Sequence, residues 1–165
     1  MTVFMPSATE KSQRCDEMEF FEVKQNKKEY LDLLLLGDEQ EDMIDRYLDR
    51  GRLFVLMDGQ TPVSTCVVTV EGEGLLEVKN LAVDPKRQKQ GNGRKMLELV
   101  ADFFRGQYKT IQLGTGESPL TLPFYEKCGF VQSHRIKNFY TDNYDHPIIE
   151  AGVQLVDMVY LKKDI

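Results

Sequence analysis

The chain has 165 residues, with 21 Lys and Arg against 27 Asp and Glu, so its formal net charge is −6. This length suits one domain, and 41% hydrophobic beside 29% charged residues is typical of a folded globular protein rather than a disordered one. The acidic balance argues against a nucleic-acid partner, and no apolar run approaches the roughly 20 residues that span a membrane. Three Cys without CxxC spacing and only two His predict a reduced, cytoplasmic protein without a metal site.

Strand-like and helix-like segments mix along the chain. Residues 1–17 lack periodicity and are expected to form an N-terminal extension to a single domain over residues 18–165. The predicted strands lie at residues 18–24, 53–57, 63–70, 75–83, 110–114, 130–135 and 154–161. The predicted helices lie at residues 27–36, 39–50, 96–104 and 118–129, the last with a later start after Thr121 as the alternative. This order predicts an α/β fold, with one mixed sheet and helices on its faces.

The most informative stretch is residues 76–96, where a strand runs into a basic, glycine-containing turn and then into a helix. Glycines let consecutive N–H groups converge, and the first N–H groups of a helix have no intrahelical partner. With the helix dipole added, such a turn binds anions such as phosphate. Five cations and no carboxylate stand between Asp84 and Glu98, namely Lys86, Arg87, Lys89, Arg94 and Lys95. In an acidic chain this local reversal of charge predicts an anionic ligand.

Three motifs compete for this turn. The run from Gly91 to Met96 lacks the third glycine of the dinucleotide fingerprint GxGxxG, and Lys95 is not followed by the Ser or Thr of a Walker loop. The run Gln88-Lys89-Gln90-Gly91-Asn92-Gly93 fits a third pattern in full: Gln or Arg, two residues, Gly, one residue, then Gly or Ala. By itself this run is also consistent with a plain glycine turn flanked by solvated lysines.

Two segments in order carry a family resemblance. Residues 78–96 resemble the acyl-CoA-binding segment of the GNAT superfamily of N-acetyltransferases, and Phe124-Tyr125-Glu126-Lys127-Cys128-Gly129-Phe130 resembles the closing helix-and-strand signature of that family. The resemblance covers residues 18–161, by element order alone outside 75–131, and is nearest to uncharacterised bacterial members. It implies a mostly antiparallel mixed sheet flanked by helices on both faces. The implied activity is acyl-CoA-dependent N-acyl transfer, most simply N-acetyl transfer from acetyl-CoA.

The resemblance also implies a donor site. The amides of the turn would hold the pyrophosphate of coenzyme A, helped by a basic side chain; these residues are Gln88, Lys89, Gln90, Gly91, Asn92 and Gly93, with Arg87, Arg94 or Lys95. The backbone of Leu81, Ala82 and Val83 would pair with the pantetheine arm, with the Leu81 N–H at the thioester oxygen. Ser118 stands where the family often has Asn, so it is expected either to contact pantetheine or to cap the following helix.

Two side chains match catalytic positions of the family. Tyr125 matches the tyrosine that protonates the departing thiolate. A phenol of pKa about 10 still holds its proton at neutral pH, and a thiol of pKa about 8.5 is also mostly protonated there, so the phenol can supply the proton that the leaving sulfur takes up. The alternative role of Tyr125 is packing. Glu77 occupies the position where some members place a general base acting through water. Because Glu77 and Lys79 share a face of the strand, an ordinary ion pair is the alternative.

Acidic residues gather in two stretches that border the acceptor cleft in the superfamily. Residues 37–50 carry six carboxylates, and residues 138–161 carry carboxylates and aromatic rings but no Lys or Arg. This combination favours a cationic amine acceptor, either a small molecule such as a polyamine or amino sugar, or a peptide terminus. The alternative is that these acids only solubilise the protein. A homodimer is left open, as are two rival functions: a coenzyme-A-sensing or partner-binding module that lacks catalysis, and a nucleotide-binding protein.

Overall fold

The computed structural model describes residues 18–165, and the extension predicted for residues 1–17 lies outside them. The strands in this part of the chain are β1 (Glu19–Val23), β2 (Arg52–Asp58), β3 (Thr61–Gly72), β4 (Leu75–Val83), β5 (Thr110–Gly116), β6 (Val131–Ile136), β7 (Ile149–Glu150), β8 (Val153–Gln154) and β9 (Met158–Asp164). Seven of them form one sheet in the order β1-β2-β3-β4-β5-β9-β6, and β7 pairs with β8 in a small hairpin. Only β4 and β5 are parallel among the seven.

Helices cover both faces of the large sheet. They are α1 (Leu31–Gly37), α2 (Glu41–Asp45), α3 (Asn92–Phe104), α4 (Leu122–Lys127) and α5 (Phe139–Asn143). Successive side chains of a strand point to opposite faces, so β2 sends Leu53 and Val55 to one core and Phe54 and Leu56 to the other. The first core is completed by α1 and the segment around α2, and the second by α3. The predicted mixed, mostly antiparallel sheet with helices on both faces is therefore confirmed.

The parallel pairing of β4 and β5 is short, and this positions the site described below. The two strands pair only from Leu75 to Val78 and from Thr110 to Leu113. Beyond that point β5 stays paired with β9 as far as Gly116, while β4 stays paired with β3 as far as Val83. A gap therefore opens between β4 and β5.

Several element boundaries differ from the predicted ones. The helix predicted over residues 39–50 ends at Asp45, and the Lys27 ammonium binds three carbonyl oxygens in the turns that follow, at Leu48, Asp49 and Gly51. Of the two starts offered for the fourth helix, residue 118 is wrong and the later start after Thr121 is confirmed, because α4 begins at Leu122, where Pro123 suits the first turn. The last predicted strand, 154–161, is shifted, because residues up to 157 belong to the β7–β8 hairpin and the turn after it.

Two kinds of feature are absent from the described part of the chain. No helix of residues 18–165 is long and apolar enough to cross a membrane. Within the same residues no three His, Cys, Asp or Glu side chains are grouped so that they could hold a metal ion.

Candidate active site

A cavity of about 230 Å³ lies where β4 and β5 part. One wall is the β4 edge from Lys79 to Leu81, and the opposite wall is β5 from Gly114 to Gly116. Tyr125 of α4 and Asp38 at the end of α1 also line it, α5 contributes Tyr140, and the segment after α5 contributes Tyr144 and Glu150. The strand edge, both helical layers and the C-terminal segment thus meet at one place.

The predicted pantetheine edge lies along this cavity. Beyond Val78, the edge of β4 that faces β5 has no strand partner among the described residues. The other side of β4 is occupied, since Leu81 pairs with Cys66 and the Ala82 carbonyl accepts a hydrogen bond of 2.7 Å from the Ser64 hydroxyl. An unpaired strand edge is a ready template for an extended chain that carries amides.

The glycine turn leads directly from β4 into α3. Lys89 and Gly91 have positive φ angles of 59° and 82°, and α3 begins at Asn92. The Asn92 side chain is buried and donates a hydrogen bond of 2.9 Å to the Arg87 carbonyl, so it braces the turn. Gly93 serves packing, because a Cβ there would lie 3.1 Å from the ring of Phe124. The side-chain amide of Gln88 donates a hydrogen bond of 3.1 Å back to the Val83 carbonyl.

Of the five cations in the turn and the first turns of α3, the arginines are already paired. Arg87 contacts Asp58 at 2.6 Å, and Arg94 contacts Glu98 at 3.0 Å. The other three, Lys86, Lys89 and Lys95, form no ion pair within residues 18–165. The lysines are therefore the cations that this end of α3 leaves available for an anion.

Tyr125 lies half-buried on α4, with its ring edge-on to Phe124 and Phe130 at centroid distances of 5.0 and 6.0 Å. Burial raises the pKa of its phenol well above the ordinary value, and the nearby Cys66, Cys128 and Glu150 act in the same direction. The hydroxyl therefore carries its proton at neutral pH and can act as a proton donor to the cavity.

Glu77 is buried, with 4% of its surface exposed, and lines a second cavity of about 220 Å³. One carboxylate oxygen accepts a hydrogen bond of 2.7 Å from the Gln112 amide, and the other forms an ion pair with Lys79. The ion pair that the sequence offered as the alternative is therefore present. The second cavity adjoins the first, because Asp38, Lys79, Gly114 and Tyr144 line both.

Ser118 is buried but engaged locally. Its hydroxyl accepts a hydrogen bond of 3.0 Å from the Leu120 N–H, in the turn that precedes α4. The structure thus brings Tyr125 and the β4 edge together at the cavity, places Glu77 at the adjoining one, and leaves Ser118 outside the lining of both.

Sequence reasoning missed a cluster around Asp38. One oxygen of this carboxylate accepts a hydrogen bond of 2.8 Å from the Tyr144 hydroxyl, and the other accepts one of 3.3 Å from the Tyr47 hydroxyl. The Asn80 amide donates to the same Tyr47 hydroxyl at 3.0 Å. The acidic and aromatic composition of the two stretches pointed to this region, but no motif links residues 106 positions apart.

The first cavity is predominantly acidic. Asp38, Glu39 and Glu150 line it, and the one cation in its lining among the described residues is Lys79, which is paired with Glu77. We call the β4 edge, the turn before α3 and the two cavities together the groove. Its two ends differ in sign, because lysines surround the turn and carboxylates line the first cavity.

Comparisons with known proteins agree with this architecture. The family profile of the acetyltransferase (GNAT) domain matches residues 49–132. An uncharacterised N-acetyltransferase of Bacillus subtilis, YvbK, is 34% identical over 139 residues, which cover 83% of this chain and 90% of that protein. A GNAT family acetyltransferase from Elizabethkingia anophelis, solved with acetyl-CoA bound, is 33% identical with a TM-score of 0.86, over 91% of this chain and 99% of that one.

Two further solved structures are similar. A Bacillus subtilis acetyltransferase in complex with CoA is 32% identical with a TM-score of 0.82, over 90% of this chain and 99% of that one. A protein described as an IAA acetyltransferase from Bacillus cereus is 28% identical with a TM-score of 0.84, over 90% of this chain and all of that one. The family match over half of the chain and relatives a third identical over nearly all of it lead to one conclusion: this chain belongs to the GNAT family and is an N-acetyltransferase.

Proposed function

We propose that the protein transfers the acetyl group of acetyl-CoA directly to a primary amine while both substrates are bound between β4 and β5. The observation that carries this proposal is the parting of the two strands after Val78 and Leu113, which leaves the β4 edge facing a cavity. The pantetheine arm carries amides and would pair with Leu81, Ala82 and Val83 as an added strand. Two relatives with about a third of their residues identical were solved with acetyl-CoA or CoA bound, which supports this donor.

The pyrophosphate of the donor would bind at the turn before α3. The positive φ angles at Lys89 and Gly91 curl the backbone from Gln88 to Gly93, and the free N–H groups of a 13-residue helix follow. Lys86, Lys89 and Lys95 add positive charge that no carboxylate of the described residues neutralises. Arg87 and Arg94 would contribute only by exchanging their present partners, Asp58 and Glu98.

Acetyl transfer needs stabilisation of the thioester oxygen and a proton for the leaving sulfur. The Leu81 N–H would donate a hydrogen bond to the thioester oxygen, where negative charge develops during attack. Tyr125 would then donate its proton to the coenzyme A thiolate. Two observations support this role of Tyr125: it lines the same cavity as Leu81, and burial keeps its phenol protonated.

The amine must lose a proton before it attacks. Glu77 would accept that proton through a water molecule in the second cavity, and its contacts with Gln112 and Lys79 fix the carboxylate in one orientation. The acceptor itself would be a cationic amine, because the first cavity, between β4 and β5, is lined by three carboxylates and one paired cation. Polyamines, amino sugars and basic peptide termini all have this chemistry.

Calorimetric titration with acetyl-CoA, coenzyme A and ATP tests the donor site. We expect the wild type to bind the two coenzyme A ligands and not ATP, and Gly91→Glu to lose that binding because it adds a charged side chain and strain at φ 82°. Gly59→Glu is the matched control, since Gly59 also has a positive φ and open space around it but lies in the β2–β3 turn. Equal losses in both variants, or equal binding of ATP, would contradict the proposal.

Release of the coenzyme A thiol in the presence of an amine panel tests catalysis. The panel contains spermidine, kanamycin and a lysine-rich peptide, and we expect thiol release with at least one of them. Tight binding of acetyl-CoA without thiol release on any amine would favour a coenzyme-A-sensing module instead.

A further inference from the structure

Asp38 holds a position that the donor site and the general base do not explain. It follows α1 directly and lines both cavities, so it lies where they join. The hydroxyls of Tyr144 and Tyr47 each donate a hydrogen bond to one of its oxygens, at 2.8 and 3.3 Å. Two distant parts of the chain thus hold the carboxylate in place where the two cavities join.

Among the described residues, several carboxylates with partly or fully buried side chains are paired with a cation, whereas Asp38 is not. Glu22 is paired with Arg52, Glu71 with Arg50, and Glu77 with Lys79. Asp38 forms no ion pair with any residue from 18 to 165, and burial raises the pKa of its carboxyl while the two tyrosine hydroxyls oppose that rise. A buried carboxylate is unfavourable without a positive partner, so a cationic ligand would supply what the protein does not.

A second, independent observation lies next to Asp38. Asn80 is 2% exposed and lines the first cavity, and its amide nitrogen donates to the Leu34 carbonyl at 2.8 Å and to Tyr47 at 3.0 Å. Its amide oxygen, by contrast, has no hydrogen-bond partner in the described part of the chain. That oxygen faces Gly37, where a Cβ would overlap it, and Gly37 also lines the cavity. A buried acceptor without a donor is uncommon and costly.

We infer that Asp38 and the amide oxygen of Asn80 form the binding site for the ammonium group of the acceptor. An ammonium offers three N–H donors and one positive charge, which match a carboxylate without a cation and an amide oxygen without a donor. The inference rests on the proposed function and adds the residues that would select the acceptor. Tyr144 and Tyr47 act as positioning residues, because their hydroxyls fix the carboxylate.

A pair of amines of similar shape and different charge tests this site. Benzylamine is protonated at pH 7, whereas 4-methylaniline is neutral, and each is titrated into protein saturated with coenzyme A. The variants are Asp38→Asn, which keeps the shape and removes the charge, and the control Asp32→Asn, which removes an exposed carboxylate from α1, the helix that precedes Asp38. Saturation with coenzyme A comes first, so a failure of the donor site is seen separately.

We expect the wild type to prefer benzylamine and Asp38→Asn to weaken its binding by about 10- to 100-fold, as expected for a charged hydrogen bond. Binding of 4-methylaniline and of coenzyme A should stay unchanged, and Asp32→Asn should behave as the wild type. The assignment is overturned if Asp38→Asn binds benzylamine as the wild type does, if both amines weaken equally, or if the wild type binds coenzyme A yet does not prefer benzylamine.

Discussion

The donor half and the acceptor half of the groove are built in different ways. The donor half is one continuous stretch, in which the β4 edge runs through the glycine turn into α3, and its proposed contacts are mostly backbone groups. The acceptor half consists of side chains from the end of α1, the segment after α2 and the segment after α5, joined by hydrogen bonds such as that between Asp38 and Tyr144. A site built from backbone groups is encoded by a local sequence pattern. A site built from side chains of distant segments is visible in the sequence only as a bias in the composition of those segments.

The two halves also differ in charge. Lysines without ion-pair partners in the described residues surround the turn before α3, while Asp38, Glu39 and Glu150 line the cavity between the strands. An anionic donor and a cationic acceptor would therefore be drawn to opposite ends of one groove. Substitutions that affect one substrate and spare the other test whether the halves are as independent as this arrangement indicates.

The largest effect is expected for Tyr125→Phe, at the boundary between the halves. Removing the hydroxyl should lower turnover by about 10²–10⁴-fold, because the leaving thiolate loses its proton donor. The affinities for acetyl-CoA and for the amine should stay unchanged, since the ring still packs against Phe124 and Phe130. Steady-state thiol release measures turnover, and titration measures binding. An unchanged turnover would remove Tyr125 from the mechanism.

Glu77→Gln should act on the acceptor side alone. We expect turnover to fall by about 10²-fold, the lower end for general base catalysis, while binding of acetyl-CoA is retained. Lys79→Met is the control, because it breaks the ion pair and keeps the carboxylate and its bond from Gln112. If Glu77 serves only the ion pair, the two variants should have the same turnover and the same loss of stability.

What the sequence predicts correctly follows the same division between local patterns and distant contacts. The β4 strand, the turn and α3 were predicted because their glycine and charge patterns are local, and the contact between Glu77 and Lys79 follows from strand periodicity. The end of α2 was missed, and the carbonyls beyond it bind Lys27, 21 to 24 residues away. The sequence analysis predicts neither the α5 helix nor the β7–β8 hairpin, and tertiary hydrogen bonds such as that from the Asn138 N–H to Asp157 hold this part of the chain.

A smaller effect is expected for Tyr144→Phe. The variant removes one hydroxyl donor from Asp38, at 2.8 Å, and leaves the carboxylate in place. A single hydrogen bond contributes about 0.5–1.5 kcal/mol, so the KM for a cationic amine should rise by roughly 2- to 10-fold. Binding of acetyl-CoA should not change. Weaker binding of acetyl-CoA would show that the two halves are coupled through the segment after α5.

The smallest effect concerns stability at the far edge of the sheet, where neither half is involved. Arg52 donates two hydrogen bonds to Glu22, at 2.7 and 2.9 Å, and these lower the pKa of the Glu22 carboxyl from its ordinary value of 4.5. Because the folded pKa lies below the unfolded one, the pair stabilises the protein above about pH 4.5, and this contribution is lost as the pH falls through the folded pKa.

Glu22→Gln should lower the free energy of unfolding at pH 7 by about 0.5–1 kcal/mol, since the pair is partly exposed and screened. Urea unfolding at pH 7 and at lower pH should show the difference from wild type shrinking with acid, with turnover unaffected at pH 7. A difference that stays constant with pH would mean that Glu22 acts through packing, and a loss of turnover would mean that the sheet edge and the groove are not independent.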